Sequence, residues 1–288
     1  MFTISGDKLM NFFKNKTALI TGASSGIGRQ LACDLFIQKK CHLILTDIDQ
    51  EGLDQLAQEL ASLNQSQSVQ TFCFDISCPQ AISDFAQQME SCSVNFLINN
   101  AGIFYSGTFE KMDIEHFEKL IQTNLMGTIR LTRKLLPQLL NHQESQIVNI
   151  SSLAGLVGAP GMCAYSTAKF GLVGFSQALA TELYKRVHVL TVCPSTVKTN
   201  IAHNALYAED DSQGNSEINS LHQFVQSLGT TPQKVSKNTI KAMHQKKRII
   251  LINADSYFFY YLHKFFPGVS EKFLTMLYSK LKSKGVVN

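Results

Sequence analysis

A short apolar run, Thr17-Ala-Leu-Ile-Thr21, feeds without a break into Gly22-Ala-Ser-Ser-Gly-Ile-Gly28, and a helical pattern through Ile27, Leu31 and Leu35 then continues to about Gln38. Few folds accommodate that order. A buried strand that ends in a glycine turn directly ahead of a helix lets the backbone approach a ligand closely, and the helix amino terminus favours an anion. The spacing therefore predicts a phosphate cradle made of Gly22, Ser24, Ser25, Gly26, Ile27 and Gly28.

The remainder repeats the alternation of strand and helix. Strands are expected at His42–Thr46, Val69–Phe74, Asn95–Ile98, Gln146–Ile150, Val187–Cys193 and Arg248–Ile252. Helices are expected at 50–63, 79–90, 114–140, 163–184 and 231–245, the third of these interrupted late by Pro137. Short apolar strands alternating with helices point to one parallel sheet covered on both faces, with ligands at the strands' carboxyl ends. Asp47 closes the second strand nineteen residues after Gly28. A carboxylate there accepts hydrogen bonds from the adenosine ribose of NAD and repels the extra phosphate of NADP; Ile48 stands where an arginine would welcome that phosphate. Capping of the helix from Gln50 is the competing role for Asp47 or Asp49. Asn99-Asn100-Ala101-Gly102 ends the fourth strand with residues that suit a ligand lying against backbone.

Ser151-Ser152 ends the fifth strand, and Tyr165 and Lys169 follow, four apart on the next helix and therefore on one face. A free phenol, with a pKa of about 10, is a poor base near neutrality. A neighbouring ammonium favours the phenolate, so Lys169 is expected to lower the pKa of Tyr165 and fit it for proton transfer, while Ser152 holds the reacting oxygen.

Composition excludes several classes. The chain has 288 residues, 44% hydrophobic and 17% charged, which suits a globular core rather than disorder. Seven scattered cysteines form no Cys-x-x-Cys pair or metal-ligand spacing, so reduced thiols and a cytoplasmic location are expected, with no metal. Cys163, close to Tyr165, is read as a packing residue. No stretch reaches the roughly 18 apolar residues of a membrane span, and residues 1–16 lack the features of a signal peptide.

Together these residues resemble the short-chain dehydrogenase/reductase family, in its NAD(P)-binding single-domain branch. The match is dense from Lys16 to Thr199 and looser to Ile252. The resemblance implies a doubly wound Rossmann-type α/β sheet of about seven strands within one domain, 1–288, carrying an amino-terminal extension (1–15), a substrate loop (200–229) and a basic helical tail (255–288). It implies that Gly22, Gly26 and Gly28 shape the pyrophosphate turn, that Asp75 and Ile76 meet the adenine, and that Asn100, Ala101 and Gly102 border the cofactor. Lys169 would bind the nicotinamide ribose, and Pro194, Val197 and Thr199 would fix the nicotinamide. Ser195 departs from the glycine usual after that proline. Asn124 would join Ser152, Tyr165 and Lys169 as the fourth catalytic residue, supporting Lys169 through a water relay.

The implied activity is an NAD(H)-preferring interconversion of an alcohol and its carbonyl on a hydrophobic substrate such as a steroid, retinoid or lipid-derived alcohol, with NADP(H) left open. A ketoacyl-thioester reductase using NADPH is the alternative enzyme, against which Asp47 argues. A non-catalytic NAD(H)-sensing protein is the other alternative, against which Ser152, Tyr165 and Lys169 argue. By analogy with the family a homodimer or homotetramer is expected.

The tail reads separately. From Thr230 onward eleven Lys and Arg oppose two Asp and Glu, a balance of +9 on a body of −5. Aromatics dominate Tyr257 to Phe266; after Pro267-Gly268, Val269, Phe273, Leu277 and Leu281 recur every four residues among Lys272, Lys280, Lys282 and Lys284. Such a face packs against the body or a second subunit, or lies in an anionic membrane interface.

Overall fold

The computed structural model describes residues 12–63, 66–199 and 229–283. Within them a seven-stranded sheet has the order β3-β2-β1-β4-β5-β6-β7. The strands are β1 (Thr17–Thr21), β2 (His42–Asp47), β3 (Val69–Cys73), β4 (Phe96–Asn99), β5 (Gln146–Ile150), β6 (His188–Pro194) and β7 (Ile249–Ile252). Every neighbouring pair is parallel.

Alternation along the strands separates the two cores. On β1, Ala18 and Ile20 face one way, against Leu31 and Leu35 of α1 (Gly26–Cys33, continued by a π-helical turn Asp34–Gln38), Leu53 and Leu56 of α2 (Gln50–Leu63), and Val235 and Met243 of α7 (Pro232–His244). Leu19 faces the other way, with Phe85 of α3 (Pro79–Gln88), Leu131 and Leu135 of α5 (Thr128–Leu140), and Leu179 of α6 (Cys163–Glu182). Both faces are buried, which is why the strands read as continuous apolar runs.

The expected interruption at Pro137 does not occur, and α5 runs through it to Leu140. Pro137 and Arg133 are both exposed, so the carbonyl deprived of its donor can turn to water, and Leu139 keeps the last turn on the core. The fourth strand begins one residue later than expected because Asn95 is used as a staple, its Oδ1 accepting from Thr17 N at 3.0 Å. Ahead of α5 the chain forms α4 (Ile114–Ile121) and a π-helical turn, Gln122–Gly127.

After β7 come α8 (Ala254–Phe265) and α9 (Pro267–Ser283), which pack on each other through Phe259 and Phe273, with ring centroids 5.9 Å apart. The proline that separates the two aromatic and basic segments opens α9, where its missing N–H costs nothing. Most of the expected substrate loop, residues 200–228, and residues 1–11 of the expected extension lie outside the described residues, as do 284–288 of the tail. All seven cysteines are free thiols.

Candidate active site

The strand order reverses between β1 and β4, and the crevice outside their carboxyl ends is where a doubly wound sheet binds ligands. Gly22 and Gly26 adopt φ +65° and +55°, the left-handed region open to glycine. A Cβ on Gly28 would lie 2.1 Å from Gly22 O, so the turn closes onto α1 only because that position has no side chain. Ser25, at the N-cap of α1, makes no side-chain cap hydrogen bond and leaves the helix terminus to an anion.

Neighbouring elements hold this loop rigid. Asn100 Nδ2 donates to Thr21 O (3.0 Å) and Gly22 O (2.9 Å), while Thr21 Oγ1 accepts from Asn100 N and Ala101 N, both at 3.0 Å. Asp47 Oδ2 accepts from Ser24 N (2.9 Å) and Ser24 Oγ (2.7 Å), and its Oδ1 accepts from Ile48 N at 2.7 Å. The helix-capping role falls to Asp49, whose Oδ1 accepts from Gly52 N at 3.0 Å. Asp47 is thus turned toward the glycine loop. Thr199, after β6, reaches the other side of that loop, its Cγ2 standing 3.1 Å from where a Cβ on Gly26 would be. Val197 bridges Thr230, and Ser195 is not among the positive-φ residues, so its replacement of the usual glycine causes no backbone strain. Asp75 accepts from Ser77 N at 2.7 Å, and Ile76 is buried in the second core cluster.

Ser152, Tyr165 and Lys169 gather around the end of β5. Ser152 caps a short 3-10 turn, Leu153–Gly155, its Oγ accepting from Ala154 N at 3.1 Å. Ser151 donates to Lys169 O at 3.1 Å, and a Cβ on Gly155 would lie 2.6 Å from the same oxygen; this close approach clamps α6 onto the strand end. Lys169 is 5% exposed, donates from Nζ to Ile150 O at 2.9 Å, and stands 5.6 Å from the Tyr165 ring centroid.

The expected effect of Lys169 on Tyr165 is overturned. Burial pushes the Tyr165 phenol up to about 12, only partly countered by its hydrogen bond with Ser152, and Lys169 makes no contribution. Burial likewise brings the Lys169 ammonium down to about 8, the buried thiol of Cys193 pulling the other way. One of the three donors of the ammonium is engaged by the Ile150 carbonyl.

Asn124 lies in the π-helical turn and is 1% exposed. Its side chain closes both backbone groups of Ile103, Oδ1 accepting from N at 2.7 Å and Nδ2 donating to O at 2.8 Å. A π-turn aims a side chain that a regular helix would place elsewhere. Asn124 therefore fixes the segment after Gly102. The sequence alone does not single out Gly155 or Phe104, the latter meeting Tyr165 edge-on with ring centroids 5.1 Å apart. Nothing in the sequence marks Phe104, whereas Thr21 stands at the head of the glycine turn as the hydroxyl residue ending the strand.

A parallel sheet with this reversal, a glycine cradle with a free helix terminus, and a tyrosine, lysine and serine beside it define a dinucleotide-dependent oxidoreductase. The chain belongs to the short chain dehydrogenase family, whose model matches residues 16–210. The oxidoreductase SadH of Mycobacterium tuberculosis is 37% identical over 212 residues, 71% of this chain and 75% of that protein. A short chain dehydrogenase/reductase from Burkholderia phymatum, solved in complex with NAD, superposes with a TM-score of 0.79 at 25% identity, covering 88% of this chain and 94% of its own. A short-chain dehydrogenase from Sphingobium yanoikuyae, solved with NADPH, gives 0.71 at 27% identity, covering 82% and 87%. The protein is an oxidoreductase that acts with NAD or NADP on a small-molecule substrate.

Proposed function

We propose that this enzyme interconverts a hydrophobic alcohol and its ketone or aldehyde, with NAD(H) preferred over NADP(H). The observation that carries the cofactor preference is the Asp47 carboxylate at the end of β2, turned toward Ser24 of the glycine loop. A second negative charge about 4 Å from that carboxylate would cost on the order of 4 kcal/mol at a protein surface. Ser24, Ser25, Gly26, Ile27 and Gly28 would receive the pyrophosphate, and Lys169 the nicotinamide ribose.

When bound, the nicotinamide supplies the hydride in reduction and accepts it in oxidation. The chain's own residues orient the substrate and manage the proton. In the reducing direction Tyr165 Oη donates its proton to the carbonyl oxygen as hydride reaches the carbon, and Ser152 holds that oxygen. A phenol held near 12 is protonated at physiological pH, the state this donation needs. Lys169 holds the end of β5 through Ile150 O, its ammonium 5.6 Å from the Tyr165 ring centroid. Phe104, edge-on to Tyr165, gives the site an aromatic wall suited to an apolar substrate.

A panel of hydroxysteroids, retinols and aliphatic alcohols, each assayed with NAD and NADP, tests the reading. Turnover of at least one hydrophobic alcohol is expected, with kcat/KM at least about tenfold higher for NAD, and Asp47→Ser should narrow that ratio. Equal or better use of NADP by the wild type would overturn the cofactor assignment.

A further inference from the structure

Sixteen large apolar side chains are exposed among the described residues, and eight of them fall between residues 257 and 276. They do not scatter. Tyr257, Tyr261 and Phe265 form a stripe along α8, their rings stacked in sequence at 6.4 and 6.0 Å. Phe258 and Phe266, each 61% exposed, and Val269 at the head of α9 extend the apolar surface. Among the described residues none covers it. A patch this concentrated marks an interaction site.

Charge identifies the occupant. Lys264 lies over the rings of Tyr260 and Phe265, at 5.6 and 5.9 Å from their centroids, and Lys272 and Lys280 are exposed on α9. From Tyr257 to the end of the sequence five lysines face a single acid, Glu271. We propose that the α8–α9 hairpin docks on an anionic lipid membrane, its aromatic rings entering the boundary between headgroups and acyl chains while the lysines meet lipid phosphates. Two-fold pairing with a second copy would instead set this basic face against itself. No helix among the described residues is long and apolar enough to cross a membrane, so the contact is interfacial.

Position gives the contact a consequence. The hairpin leaves the sheet at the carboxyl end of β7, the end that also carries the glycine loop and Ser152. At the junction Asn253, with φ 80°, donates from Nδ2 to Ser195 Oγ at 3.4 Å, on the loop after β6. The docked hairpin is thereby tied to the loop after β6, whose Thr199 reaches the glycine turn.

Flotation of the full-length protein tests this without reference to turnover, using vesicles of phosphatidylcholine alone and of two parts phosphatidylcholine to one part phosphatidylglycerol. Binding to the mixed vesicles, weakening as salt is raised, is expected. Lys264→Gln/Lys272→Gln/Lys280→Gln should lower partitioning about a hundredfold, at roughly 1 kcal/mol per lysine. Phe258→Ser/Phe266→Ser should abolish flotation while keeping wild-type circular dichroism and NADH binding. The proposal is overturned if the wild type floats with neither vesicle or if both variants float as the wild type does. Sedimentation showing a dimer that Phe258→Ser/Phe266→Ser splits, without vesicle binding, would assign the face to a second copy instead.

Discussion

Replacing Lys169 by methionine should make the stability of this protein depend on pH differently, in a direction fixed by burial. Lys169 is 5% exposed, and its ammonium is brought down from 10.5 to about 8. Holding it charged at neutral pH costs the fold about 3 kcal/mol. Between pH 8 and 10.5 the unfolded chain keeps the proton that the folded chain has lost, so this contribution raises wild-type stability as pH rises. Cys41 and Cys193, pushed up from 9 to about 12, and Tyr165, from 10 to about 12, act oppositely: their folded forms keep protons the unfolded chain loses, and stability falls above pH 9. Both proteins share these groups, so the difference between wild type and Lys169→Met isolates the lysine. Urea unfolding of both proteins from pH 7 to 9 should show the wild type gaining on Lys169→Met by about 1 kcal/mol between pH 8 and 9. The absolute difference at pH 7 also contains the Ile150 carbonyl left without its donor, worth about 1–3 kcal/mol, so the slope is the readout. A difference that stays flat from pH 7 to 9 would refute the reasoning.

Two further substitutions probe the architecture. Gly28→Ala places a methyl where Gly22 O stands 2.1 Å away, and it should destabilise by about 1–3 kcal/mol and weaken NADH binding at least tenfold; fluorescence titration and thermal melting unchanged from wild type would contradict the crowding. Asn124→Ala strands both backbone groups of Ile103, and a loss of about 2–4 kcal/mol is expected in urea unfolding; a loss below about 0.5 kcal/mol would mean that the segment finds other partners.

The fold was legible because its signals are periodic. Leu19 and Ile20 must face opposite ways on a strand, and apolar strands alternating with helices leave few sheets to build. The site was legible where backbone geometry demands a residue type, as at Gly22 and Gly28. Direction and desolvation were not. Spacing put Tyr165 and Lys169 on one face, yet it could not show that Nζ turns to Ile150 O, nor that burial would outweigh charge on the phenol. Asn124 is aimed by a π-turn that no hydrophobic period announces. Pro137 reads as a break because the sequence does not show its exposure.

Tyr165 is the proposed proton donor, the centre of the proposed chemistry. Tyr165→Phe removes one oxygen and leaves the ring against Phe104, so the pocket keeps its shape. With NADH and the carbonyl form of the best alcohol from the panel, the variant should bind NADH as the wild type does and lose turnover by about 10²–10⁴-fold, the contribution of a positioned acid. Turnover within a few-fold of wild type, with NADH binding intact, would contradict the assignment.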